Sequence, residues 1–280
     1  MTPLPIGVGD REEQDAFLKE HAAFLAHYPD LKKVVEATLC RTLLSPPQSE
    51  VDRLLKLEEG DPEVVAFENR MMADRIVFFL GRIAADDFGE ILILSGNGRG
   101  IGAYKVLRGM YERIVHAVYL DKNEEAARRF ARQSDVYKLK LANRLAEFGV
   151  NLLSDFTEQD KNDLEDRVKD AKKDKPLLNL SDMADVAGEH LGPMYGPCHL
   201  EPTTHIHANA FGMERRLLRS PSGGYVYNVG DYRHHSRRAL LLGHNLLIRN
   251  IHVQNSRFKL GLDTDVQCCA DAFGKIWGKP

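Results

Sequence analysis

Cysteine is scarce: Cys40, Cys198, Cys268 and Cys269 are the only four in 280 residues, irregularly spaced and without a C-x-x-C pair. A disulfide framework, a zinc ribbon and a dithiol redox site all need more thiols, or closer ones. Long hydrophobic runs are also missing. Stretches such as IVFF and ILIL fall far short of the roughly 20 apolar residues that span a bilayer. No basic segment leads into an apolar one at the N-terminus, so the expectation is a cytoplasmic protein with no membrane contact. Signals for β-strands are almost absent. The glycines Gly96, Gly98, Gly100 and Gly102 match neither G-x-G-x-x-G nor G-x-x-x-x-G-K-[ST], and no βαβ alternation follows to carry a phosphate loop. An inter-helix turn is the preferred reading of that cluster. Tryptophan occurs once, as Trp277, and a large aromatic near a chain end reads as an anchor for the last helix.

What remains is helix. With 43% hydrophobic and 28% charged residues the chain has the composition of an ordinary globular protein with a real core. Phe17, Ala22, Phe24, Leu25 and Tyr28 fall on one helical stripe, which Pro29 is expected to end. Asp61-Pro62 reads as an N-cap followed by a first-turn proline, opening a long helix. The EILIL run before the glycine cluster fits a strand or a helix end equally. Further helices are expected over 103–120, 123–149, 157–175 and 181–192, then from Tyr232 to Phe258 and from Asp263 to Trp277. Between them, RSPSGGYVYNVGDY reads as a loop or small hairpin. The predicted fold is all-α: a mostly up-and-down helical bundle, with residues 1–60 an N-terminal helical extension and 61–280 the main domain.

Charge is distributed unevenly. Residues 213–259 hold nine Lys/Arg against only Glu214 and Asp231, although the whole chain carries a net −3. Such a region could receive RNA or another anion; the alternative is a solvated basic face serving solubility. A homodimer is an arrangement left open.

Chemistry-bearing residues concentrate in YGPCHLEPTTHIHAN, Tyr195–Asn209, which holds a tyrosine, a cysteine and three histidines. An extended segment there could offer His199, His205 and His207 to a metal, since zinc accepts N, S and O donors. No H-E-x-x-H or paired E-x-x-H supports that use, and helix caps and satisfied histidines are preferred; no cofactor is expected. A second group lies on the 103–120 helix. Arg108 and Glu112 are four apart with His116 a further turn on, the arrangement of an edge ion pair or of a polar row at the rim of a cavity.

Two resemblances attach to these residues. The run Gly102–Leu145, with Leu107-Arg108-x-x-Tyr111-Glu112, followed by RRFARQSDVYKLK and later by a tyrosine and a [ST]-x-x-His segment, resembles the bacterial domain of unknown function family 5677. That resemblance implies an all-helical domain over roughly residues 70–255. It also implies a binding pocket formed by Arg108, Glu112, Tyr195, Thr204 and His207. On the last long helix, Arg237 and His244 are similar to the Arg/His signature of the helical HEPN ribonucleases. That resemblance implies a metal-independent RNA nuclease or RNA-binding module, set in stress or phage defence, with Arg237, His244 and His207 catalytic. His244 would take the ribose 2′-hydroxyl proton while the arginine neutralises the phosphate. Leu240, Leu241, Leu247, Ile248 and Ile251 around His244 favour instead a buried, hydrogen-bonded histidine. A metal-dependent or small-ligand-binding protein using the histidine cluster, and a non-enzymatic interaction scaffold, are the alternatives.

Overall fold

The computed structural model describes residues 11–43, 45–58, 60–188, 190–206, 217–221, 223–227 and 233–278. The order is α1 (Arg11–Glu20), α2 (Ala22–Leu39), α3 (Gln48–Leu54), α4 (Pro62–Gly96), α5 (Gly100–Lys122), α6 (Glu124–Ala146), α7 (Glu158–Ala171), α8 (Leu180–Ala187) and α9 (Leu191–Tyr195). A π-helical turn (Gly196–Leu200), α10 (Glu201–Ile206), the hairpin β1 (Leu217–Arg219) and β2 (Tyr225–Tyr227), α11 (Arg233–Phe258) and α12 (Asp263–Trp277) complete it. The fold is all-α, and the hairpin pairs only Leu217–Arg219 with Tyr225–Tyr227, in antiparallel register.

Local signals explain most boundaries. Asp61 Oδ1 accepts the Glu63 amide at 2.8 Å, capping α4 as its position before Pro62 demands. The ILIL run is helix, not strand: α4 continues to Gly96, with Ile91 fully buried. It stops where Gly98 turns to φ +68°, so that the Arg99 amide reaches the Leu94 carbonyl at 2.8 Å and the Gly98 amide reaches Ser95 at 3.1 Å. That is a Schellman end, and it makes the glycine cluster a tight α4–α5 turn. Gly149 ends α6 in the same way. Pro29, by contrast, does not end its helix. The break falls at His21, and α2 runs through Pro29 because its buried face, Phe24, Leu31, Thr38 and Leu39, has anchors on both sides of the proline. Packing there outweighs the backbone hydrogen bond that proline forfeits.

The chain divides into two compact units: residues 1–43, 77–119 and 180–280 form the first, and 44–76 with 120–179 the second. In the first, α5 buries Tyr104, Leu107, Tyr111, Ile114 and Val118 almost completely, and α11 buries Leu240, Leu247 and Ile251. Where α11 crosses the 77–96 part of α4 the backbones lie close. A Cβ on Gly243 would stand 3.3 Å from both Ile91 and Phe88, while Asn250 Nδ2 donates to the Gly81 carbonyl at 2.7 Å and Gln254 Nε2 to that of Val77 at 2.8 Å.

In the second unit α6 and α7 close over Ala142, Leu153, Leu164 and Val168. Ion pairs Arg132–Asp174 and Arg167–Asp135, each at 3.0 Å, tie the two arms. α7 opens on a capping box: Thr157 Oγ1 accepts the Asp160 amide at 3.2 Å while Asp160 Oδ2 accepts that of Thr157 at 2.9 Å. Thr157→Ala is expected to cost about 1 kcal/mol, read as a lower urea midpoint. An unchanged midpoint would contradict that role for the box.

Candidate functional site

Within the first unit, one face of α5 lies against the α9–π–α10 segment. Tyr111 joins the two, its buried hydroxyl donating to the Leu191 carbonyl at 2.9 Å. The stretch read from sequence as extended is therefore helical as far as Ile206. Its π turn closes with the Glu201 amide on the Gly196 carbonyl, five residues back. Such a turn inserts one residue into a helix and redirects the side chains around it, a distortion frequent at functional sites.

Here it directs His199 onto α5. His199 Nε2 lies 3.1 Å from Glu112 Oε1, and the same oxygen lies 3.0 Å from Arg108 Nε. The His199 side chain is 13% exposed, Arg108 26% and Glu112 36%, so the row is partly screened from water. Tyr195, one turn before His199, stacks on its ring with centroids 4.9 Å apart and planes 15° apart. Burial lowers the His199 pKa and Arg108 lowers it further, while Glu112 works in the other direction. The imidazole is thus neutral at pH 7, and its proton must sit on Nε2, because a carboxylate oxygen only accepts. Nδ1 is then the basic nitrogen; it is shielded and meets no hydrogen-bond partner among the described residues. His116 Nδ1 lies 2.7 Å from the Glu112 carbonyl, and burial lowers its pKa as well.

Arg108, Glu112 and Tyr195 thus lie around His199, which contacts the Glu112 carboxylate and the Tyr195 ring, and Thr204 does not join them. Thr204 Oγ1 turns back to the Glu201 carbonyl at 2.7 Å, and Thr203 Oγ1 to that of His199 at 2.5 Å, both closing their own helix. His207 lies outside the described residues. His199 and His205 do not converge: His205 is buried beside Tyr104 and His235, at centroid distances of 6.2 and 5.3 Å. Next to it Arg238 pairs with Glu201 at 2.9 Å. Among the described residues no group of three or more His, Cys, Asp or Glu is placed to hold a metal ion. Cys198 is fully buried, and burial pushes its thiol far above the ordinary range, which leaves it unreactive. The signal that could have singled out His199 is its four-residue spacing from Tyr195, which aligns two rings only if the stretch is helical.

Arg237 and His244 do not form a site. His244 is completely buried among Phe24, Phe88 and Phe273, its Nδ1 accepting from Trp277 Nε1 at 3.1 Å. Burial drops its pKa to about 3. The Arg237 side chain is 61% exposed, with Glu20 at 3.9 Å. Seven residues separate the two along α11, but the histidine points into the core and the arginine into water, so His244 reaches no ribose.

The model of DUF5677, a family of unknown function, matches residues 74–225, which include α5, the π turn and α10. No curated protein and no solved structure matches the chain. The match spans more than half of the 280 residues and contains Arg108, Glu112, Tyr195 and His199, and the chain belongs to the family of unknown function DUF5677.

Proposed function

We propose that the Arg108–Glu112–His199–Tyr195 row is the functional centre, working as a metal-independent acid–base site on an anionic substrate, with RNA phosphodiesters as the substrate class. The observation that carries this reading is the single Glu112 oxygen 3.1 Å from His199 Nε2 and 3.0 Å from Arg108 Nε, the latter a charge contact without hydrogen-bond geometry. A carboxylate that accepts one imidazole N–H fixes the tautomer and leaves the other nitrogen basic, the logic by which hydrolytic histidines are oriented. Nδ1 of His199 is shielded in the unliganded protein, so substrate entry would have to uncover it before it takes a hydroxyl proton, while Arg108 would stabilise charge developing on the phosphate. Tyr195, stacked on the ring, holds its plane. The basic 213–259 region favours an anionic substrate through long-range attraction. The acid–base role implied for His244 on α11 passes in this reading to His199, which is neutral and lies beside a cation.

The test is cleavage of a single-stranded oligoribonucleotide in the presence of EDTA. His199→Ala is expected to reduce the rate by about a hundredfold or more, and Arg108→Ala comparably, with thermal unfolding as a control for folding. Wild-type protein that neither cleaves nor binds the RNA, or a His199→Ala variant with full activity, would end the proposal. Tight binding without cleavage, lost in Arg108→Ala, would leave a receptor site without catalysis.

A further inference from the structure

The α6–α7 hairpin of the second unit carries a cleft of about 530 Å³, well away in sequence from the α5 row. Its floor is the outer side of the unit's own core, Val136 and Leu139 from α6 and Val168 from α7. Its rim is basic. Lys140 and Lys172 line it with no ion-pair partner among the described residues, while Arg144 is partnered by Glu147 at 2.7 Å. Elsewhere on α6, Tyr137 and Leu141, four residues apart, are 71% and 52% exposed.

Size and charge together select the occupant. A cavity of this volume lies within the range of small-molecule sites. An α-helix of roughly 10–12 Å diameter would fill it with about one turn, too little to seat a partner helix. We propose that this cleft binds a single-chain anionic amphiphile of the long-chain carboxylate class, its tail along Val136, Leu139 and Val168 and its head between Lys140 and Lys172. The apolar floor supplies transfer energy without direction. The two lysines supply the sign of charge, at an exposed rim where each pair with an anion adds only modestly to affinity.

Calorimetric titration of the full-length protein with laurate, below its aggregation threshold, tests the assignment. One-to-one saturable binding is expected, weakened about tenfold by Lys140→Gln combined with Lys172→Gln. 1-Dodecanol, with the same chain length and no charge, should bind wild type about tenfold more weakly. Both lysines are exposed, so the double variant keeps its fold, which an unchanged melting curve verifies. Absence of saturable laurate binding, equal affinity in the double variant, dodecanol binding as tightly as laurate, or binding confined to anionic vesicles or an acidic peptide would each overturn the assignment.

Discussion

Replacing His244 with phenylalanine is expected to cost about 1 kcal/mol of stability at pH 7.5 and to gain about 2 kcal/mol at pH 4, so that the variant and wild-type curves cross. The cost at neutral pH is the hydrogen bond from Trp277 Nε1, which loses its acceptor. The gain in acid follows from linkage. His244 is wholly buried, and its pKa falls from 6.5 to about 3, first through burial and then through the neighbouring His27. Between those two values the unfolded chain holds a proton on this residue that the folded chain lacks, so its contribution is complete above pH 6.5 and fades as pH falls toward 3. By pH 4 that loss is about 3 kcal/mol, more than a hundredfold in the folding equilibrium. Phenylalanine suits the site, since Phe24, Phe88 and Phe273 already surround the ring. Comparison with the variant matters, because Asp87 opposes the trend. Its pKa is raised to about 6, chiefly by burial and against the pull of Arg113 at 2.6 Å, so its ionisation destabilises the fold as pH rises from about 4 to 6. Urea midpoints of both proteins at pH 7.5 and 4 decide it: parallel pH profiles would mean that His244 titrates normally and is not held neutral in the core.

The helical class was legible because amphipathic periodicity is a local signal, and so were Asp61 at the start of α4 and Gly149 beyond the end of α6, whose chemistry acts within one turn. Pro29 misled because its penalty is local while its compensation, the packing of Phe24 and Leu31 on either side, is tertiary. The ILIL run was ambiguous for the same reason: four apolar residues carry no period, and only the burial of Ile91 within a 35-residue helix settles it. At the site, Arg108 and Glu112 could be read because four-residue spacing on a helix makes a pair. Tyr195 and His199 could not be paired while their segment was taken as extended, since a π turn has no sequence signature comparable to a cap. The Arg237–His244 likeness failed through geometry: spacing along α11 fixes an angle around the helix, but not which angle is core.

Gly81→Ala is expected to destabilise the protein by about 3 kcal/mol, the reverse of its effect in an exposed helix, where the same change gains about 1 kcal/mol. Nothing in the surrounding RIVFFLGRIAADD marks this glycine as anything but a weak helix former. In the structure its missing side chain is what lets α11 approach α4. A Cβ at this position would fall inside contact distance of Gln254 Nε2 and stand 2.7 Å from Asn250 Oδ1. Those two amides have little freedom to retreat, because they are buried and donate to the carbonyls of Gly81 and Val77 at 2.7 and 2.8 Å. Displacing them costs roughly 1 kcal/mol for each hydrogen bond, in addition to the strain of overpacking, and together these exceed the gain in helix propensity. Adding Gln254→Ala to Gly81→Ala separates this cause from a general intolerance of α4. If crowding against Gln254 dominates, the double variant is less destabilised than the sum of the two single ones, with an interaction of about 1 kcal/mol or more in a urea double-mutant cycle. Simple additivity, or a Gly81→Ala protein more stable than wild type, would mean that α11 does not rest on the glycine at this crossing.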